Sequence, residues 1–236
     1  MSEGPLRLIC AGAGKGVVET LAQRFHEDTG LEIDATFGAV GALKAKLDSG
    51  EKWDAIVLTA QLIAALALES RVRADTIAAL GAVPTGIAVR NGDALPEVGD
   101  AASLRDVLLG SGAIYVPDPE RATAGIHFMS VLHKLDIERD VATRLRPYPN
   151  GATAMRALAD EGRMGDLGCT QLTEIRYTAG LTAVGPLPAG FDLATVYSAA
   201  VARDAALPDL ARHFVTLLTG PTSAAMRAAG GFEIVG

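Results

Sequence analysis

Apolar positions along this chain switch repeatedly between two periods, one of strands and one of helices. Residues 6–11 form a short apolar run that predicts a buried strand, closed by Gly12-Ala13-Gly14-Lys15-Gly16. Val17, Val18, Leu21, Ala22 and Phe25 follow at helical spacing, and Gly30 supplies the stop. Leu31, Ile33, Ala35 and Phe37 alternate as a strand does. Gly38 and Gly41 open a second helix with Val40, Leu43 and Leu47 on one face, ended by Gly50. Residues 55–58 read as a third strand, followed by a helix carrying Ile63 and Leu66. A β-α-β-α-β-α order is buried most economically by a parallel sheet with helices on both faces.

The pattern then restarts. Residues 77–90 hold two apolar runs broken by Gly81 and Pro84, and an Asn91-Gly92 turn follows. A helix over 103–109 takes Ser103 as its N-cap. Residues 113–116 predict a strand running into Pro117-Asp118-Pro119, and 124–135 a helix with Phe128, Val131, Leu132 and Leu135 inward. Further elements are a helix over 151–160, a strand over 166–170, a long strand over 195–202, and helices over 208–218 and 222–229. No repeat of fixed period and no low-complexity segment is visible. Residues 185–190, with Pro186 and Pro188, make the best linker candidate. The expected fold class is α/β, with two lobes that are each a mostly parallel sheet flanked by helices. Lobe I takes residues 1–82 plus 195–236 and lobe II residues 83–194, joined by hinge crossings near 81–90 and 190–200.

Composition narrows the function. Aromatics are 5% of the chain, too few for a base-stacking platform, and the net charge of −7 opposes a duplex or an anionic membrane. The densest basic group, Arg139, Arg144 and Arg146, reads as a solvated helix face. No nucleic-acid partner and no membrane insertion are expected, since no run reaches the ~18 residues a span needs. Cys10 and Cys169 lie in apolar stretches and read as buried free thiols, and His26, His127, His133 and His213 form no ligand pair. No metal or cofactor is expected. Residues 1–8 carry no apolar signal core. That predicts a cytoplasmic chain as written, or a periplasmic one if an export signal has been removed.

The loop at residues 12–16 departs from both famous glycine fingerprints. A P-loop needs Ser or Thr after its Gly-Lys, and here Gly16 follows Lys15. A dinucleotide fingerprint needs its third glycine one residue later and an acidic residue ending the second strand, which ends Thr36-Phe37-Gly38. What remains is general physics. A small-residue loop lets an anion approach the free amides and positive dipole end of the next helix. Gly38-Ala39-Val40-Gly41 and Arg121-Ala122-Thr123-Ala124-Gly125 repeat the arrangement. Each is also a plain tight turn. All sit at carboxyl ends of strands, where open α/β folds bind their ligands.

The segments 6–21, 37–43 (FGAVGAL), 54–59 (DAIVLT), Pro117-Asp118-Pro119-Glu120, Thr123-Ala124-Gly125, Gly165-Asp166-Leu167-Gly168 and 196–204 together resemble the molybdate-binding branch of type II periplasmic solute-binding proteins. The resemblance implies a two-lobed clamshell with the ligand in the interlobe cleft. Relatives that bind molybdate use a serine in the first loop, a serine in the second and a tyrosine in lobe II. By segment matching these fall on Ala13, Val40 and Gln171, so three hydroxyls are missing. Each lost hydrogen bond to a charged group is worth about 1.5–3 kcal/mol, which argues against molybdate, tungstate or sulfate.

The donors this chain offers are Ala13, Gly14 and Lys15 in the first loop, Ala39 and Val40 in the second, Thr59 after the third strand, and Arg121, Thr123, Asn150, Thr170 and Gln171 in lobe II. Lysine or arginine with amide donors suits a planar carboxylate. The expected function is binding of a small organic anion, a di- or tricarboxylate, passed to an ABC transporter if the protein is exported. The alternative is an enzyme similar to the aconitate isomerases, which change the double-bond geometry of such a ligand. Lys15 is then the candidate base, if desolvation beside other cations lowers its pKa, and Glu174 the poorer one. A regulator's effector domain standing alone ranks third, because no helix-turn-helix segment precedes the fold.

Overall fold

A computed structural model describes residues 4–234 of the chain. Met1 to Glu3, part of the stretch searched for a signal core, lie outside the described residues. The chain divides into two compact units, unit 1 of residues 1–82 and 195–236 and unit 2 of residues 83–194.

Unit 1 opens with β1 (Leu6–Ala11), α1 (Lys15–Thr29), β2 (Ile33–Gly38), α2 (Val40–Asp48), β3 (Ala55–Thr59) and α3 (Ala60–Leu68). β1 pairs in parallel with β2 on one side and β3 on the other. Its Leu6, Leu8, Ile9 and Cys10 are all fully buried, which requires cover on both faces of the sheet. Each apolar side chain so buried contributes roughly 1.5–3 kcal/mol. α1 ends where Gly30 takes the left-handed conformation (φ 74°) and its N–H bonds the His26 carbonyl.

β4 (Ala78–Arg90) carries the chain from unit 1 into unit 2. Where the sequence predicts two runs, the strand is continuous through Gly81 and Pro84. Proline costs an extended strand only one ladder N–H, and its fixed φ fits the extended region. Gly81 has φ 140°, and a Cβ there would lie 2.6 Å from the Glu233 carbonyl oxygen. It marks a close backbone approach rather than a break.

Unit 2 continues with α4 (Ala101–Gly110), β5 (Ile114–Pro117), α5 (Thr123–Lys134), the single-turn α6 (Glu138–Val141), β6 (Leu145–Tyr148), α7 (Gly151–Glu161), β7 (Leu167–Gln171), α8 (Leu172–Tyr177) and β8 (Leu181–Pro186). β5 pairs in parallel with β6 and β7, and β4 runs antiparallel to β7 and β8. Ile114 and Val116 of β5 join one apolar cluster and Tyr115 joins another, so this sheet too is covered on both faces. Unit 1 is completed by β9 (Ala194–Val201), antiparallel to β3, then α9 (Pro208–Thr219) and α10 (Ala224–Gly230).

The spatial order β2-β1-β3 in unit 1 recurs as β6-β5-β7 in unit 2. The sequence shows no repeat, because the shared feature is strand order and the inserted elements differ in length. In each three-strand set the first strand in sequence, β1 or β5, sits in the middle, which puts a topological switch point at its carboxyl end.

Several local expectations change. Ser103 is the third residue of α4, and Asp100 is the N-cap, in a capping box that joins the two side chains and backbones. Residues 185–190 are no linker, since Gly185 and Pro186 belong to β8 and buried Leu187 donates its N–H to the Thr85 carbonyl. Arg139, Arg144 and Arg146 lie on α6, a 3-10 turn and β6, not on one helix face. Arg144 donates to the Leu109 and Ser111 carbonyls, where a cation complements the end of α4.

Candidate functional site

The predicted site residues fall at the carboxyl edges of the two sheets. In unit 1, residues 12–14 wind into a 3-10 turn that leads into α1. Ala13 and Gly14 are buried, and a Cβ on Gly14 would sit 2.7 Å from the Cys10 sulfur. Lys15 is therefore the first residue of α1 rather than a loop residue. Its ammonium lies 3.8 Å from the Glu19 carboxylate and 5.7 Å from the centre of the Phe37 ring. A carboxylate one turn on offsets the cost of a cation at a helix start. An acid and a ring thus stand beside the ammonium.

Ala39, buried, precedes α2, and half-buried Val40 is its first residue. Thr59 ends β3, and its hydroxyl accepts from the Leu62 N–H at 3.4 Å, capping α3. In unit 2, Asp118 accepts from the Glu120 and Arg121 amides, which fixes the turn before α5 and leaves the Arg121 side chain exposed. Thr123 is the first residue of α5. A Cβ on Gly125 would come within 2.5 Å of the Pro117 carbonyl oxygen, so this turn closes only around glycine.

Asn150 caps α7, its side-chain oxygen accepting from the Thr153 N–H at 2.9 Å. Thr170 and Gln171 are buried at the end of β7. The Thr170 hydroxyl points inward and donates to Glu174 at 2.5 Å. Glu174 is itself buried, and its carboxyl also accepts from the Ala152 and Gln171 backbone amides. Burial dominates over these donors and pushes its pKa up to about 7. Gly151 closes over the pair, for a Cβ there would run into the Glu174 carboxyl and the Thr170 hydroxyl. The sequence places Glu174 behind Lys15 as a candidate base, and its burial emerges only from the fold. Its one legible signal is placement four residues after Thr170, between the apolar Leu172 and Ile175.

The helix starts differ in what meets their amides. α3, α4 and α7 are capped by their own Thr59, Asp100 and Asn150. α6, α8 and α9 have no side-chain cap but carry an acid in the first turn. α1, α2, α5 and α10 have neither. Of these four, α1, α2 and α5 are the helices opened by the three small-residue loops.

Among the described residues no group of His, Cys, Asp and Glu could hold a metal, and no helix is long and apolar enough to cross a membrane. Cys10 and Cys169 are buried free thiols whose pKa values burial pushes up. A cavity of about 360 Å³ lies at the opposite, amino-terminal edge of unit 2, beside Val107, Met164 and Leu167, and holds none of the predicted residues.

The family described as bacterial extracellular solute-binding protein matches residues 6–233. The chain belongs to it. A solved structure of the Azotobacter vinelandii periplasmic molybdate-binding protein is 21% identical, with a TM-score of 0.79 over 98% of this chain and all of that one. The sulfate-binding protein SubI from Mycobacterium tuberculosis superposes with a TM-score of 0.74 at 15% identity, over 98% of this chain and 86% of its own. Among curated proteins, an aconitate isomerase from a Pseudomonas species is 22% identical over 93% of this chain and 84% of its own. The fold is that of type II periplasmic binding proteins, as the sequence resemblance implies.

Proposed function

We propose that this solute-binding protein takes a small organic anion, a di- or tricarboxylate, with the amides at the starts of α1 and α2 in unit 1 and of α5 in unit 2 as its candidate donors. The observation that carries this reading is that these three helix starts lack both a cap and an acid, so their amides and dipole ends are left for an external anion. Lys15 in unit 1 and Arg121 and Thr123 in unit 2 are the candidate charges and hydroxyl beside them, whereas Thr59, Asn150 and Thr170 already engage α3, α7 and Glu174. The missing hydroxyls at Ala13, Val40 and Gln171 turn the choice from a tetrahedral oxyanion toward a carboxylate. The family's description as extracellular supports export and delivery to an ABC transporter.

Thermal melting tests the ligand class. trans-Aconitate is expected to raise the melting temperature and molybdate to leave it unmoved, with the rise reduced in Lys15→Ala. A rise with molybdate alone sinks the reading.

A second reading is favoured by one observation, the buried Glu174 carboxyl with a pKa of about 7 at the end of β7. A group that titrates near neutrality can take and return a proton, as an allylic isomerisation requires. The base would remove a proton from the methylene carbon of cis-aconitate, and reprotonation of the allylic anion would set the trans double bond. The likeness to an aconitate isomerase supports it. Proton NMR of cis-aconitate incubated with the protein decides. Growth of trans signals, slowed in Lys15→Ala or Glu174→Gln, is expected of an enzyme, and an unchanged spectrum removes the reading.

A further inference from the structure

Unit 2 holds two helix starts side by side, since α5 follows β5 and α7 follows β6, and β5 pairs with β6 in parallel. They differ in what meets their amides. The start of α5 has no cap and no acid. At the start of α7 the Asn150 oxygen takes the Thr153 N–H, and the Glu174 carboxyl takes the Ala152 N–H.

The groups around that carboxyl come from three elements. β7 gives Thr170 and Gln171, α7 gives Gly151 and Ala152, and α8 gives the carboxyl itself together with Thr178, whose hydroxyl bonds the Glu174 carbonyl. None of them is charged. The corner therefore contains a carboxyl whose named donors are all neutral, and which carries its charge only above about pH 7.

Resting on the proposed anion-binding function, we infer that Glu174 is a specificity-determining residue. Its carboxylate replaces an external anion at the start of α7, so the ligand turns its charge toward α5 and an uncharged hydrogen-bonding group toward Asn150. A second carboxylate brought to this corner would face a like charge in a poorly solvated place, where only one of two neighbouring acids stays ionised. Such a ligand group binds only with uptake of a proton by Glu174. The favoured ligand class is a lopsided organic anion, carboxylate at one end and hydroxyl, amide or protonated acid at the other. A uniformly charged tetrahedral oxyanion is rejected here by charge, independently of the hydroxyls missing elsewhere.

The test compares wild type with Glu174→Gln, which keeps the shape and removes the charge, by titration calorimetry with fully ionised trans-aconitate. At pH 8 the variant is expected to bind roughly tenfold more tightly, because the competent, protonated form of wild type is then a minor fraction. At pH 6 the two should bind alike, and comparing the proteins cancels titration of the ligand itself. Equal affinities at both pH values, or weaker binding by the variant at pH 8, overturn the inference. If trans-aconitate binds neither protein, the organic-anion reading falls and a wild-type measurement decides this one alone. Amide NMR signals of Gly151 and Ala152 should then move on adding sulfate at pH 6 and stay fixed at pH 8. The same response at both pH values, or none at either, overturns it, and this arm also serves if the variant does not fold.

Discussion

α2 and α7 hold equivalent places, each following the outer strand of a β2-β1-β3 or β6-β5-β7 set, yet one start is open and the other is closed. α2 begins with Val40 after uncapped Ala39, and the third residue of α3, next along that edge, is Leu62. α7 begins with Gly151 after the cap Asn150, and the third residue of α8 is Glu174. Three differences thus separate the edges, the first being the capping side chain of Asn150 in place of Ala39. A glycine removes the side chain that would fill the corner, and a glutamate puts a carboxyl into the space. The same strand order yields an open helix start at α2 and a start closed by an internal carboxyl at α7.

The largest consequence is a dependence of stability on pH that only unit 2 should contribute. Glu174 moves from the ordinary carboxyl value of 4.5 to about 7 on folding, so the folded protein holds a proton that the unfolded chain has lost. The sign follows directly. Its contribution is fully present below pH 4.5 and is lost as the pH rises to about 7. The loss amounts to about 3 kcal/mol. Urea unfolding of wild type at pH 5 and pH 8 should show most of this fall, and Glu174→Gln should lack it. The exposed carboxylates Asp48, Asp75 and Asp100 are shifted the other way, by Lys44, Arg212 and the Ser103 backbone respectively, and act only toward lower pH. An identical pH slope in the variant would break the contrast between the units.

A smaller effect is steric. Gly151→Ala drives a methyl group into the Glu174 carboxyl and the Thr170 hydroxyl, with an expected cost of about 2 kcal/mol. Val40→Ala, at the matching position of α2, trims a half-buried side chain and should cost less than about 1 kcal/mol. The comparison sharpens in a double-mutant cycle. In a Glu174→Ala background the Gly151→Ala penalty should fall, because one of the two collision partners is gone, and it should fall further when Thr170→Ala removes the other. A penalty unchanged by both would place the crowding somewhere other than this corner.

Much of this architecture was legible in the sequence. β1, α1, β3, α5 and α9 are set by periodicity that burial enforces, and Gly30 stops α1 in the left-handed conformation only glycine adopts easily. The short elements were not legible. β6 reads Leu-Arg-Pro-Tyr, an edge strand with two exposed residues, and nothing local separates it from a loop. β8 was hidden by Gly185 and Pro186, which suggest a linker until β4 is seen to pair with them. At the site, the three open helix starts were visible as small-residue loops because a missing cap is a sequence property. The Glu174 corner was not, because its burial depends on Gly151, a residue 23 positions earlier that has meaning only once α7 packs over β7.

The smallest expected effect is also the most direct conversion of one edge into the other. Ala39 has φ −68° and ψ 143°, the extended backbone that an N-cap adopts, so aspartate fits there without a change of conformation. Ala39→Asp gives α2 the internal acceptor that α7 already has, and should raise the stability of the ligand-free protein by about 0.5–1 kcal/mol. The same carboxylate would compete for the amides assigned to the ligand, so the trans-aconitate shift in melting temperature should shrink or disappear. Gained stability and lost binding must come together if open helix starts are kept open for a guest. A variant that is stabilised yet still shifts fully with trans-aconitate would mean that the amides of α2 take no part in binding.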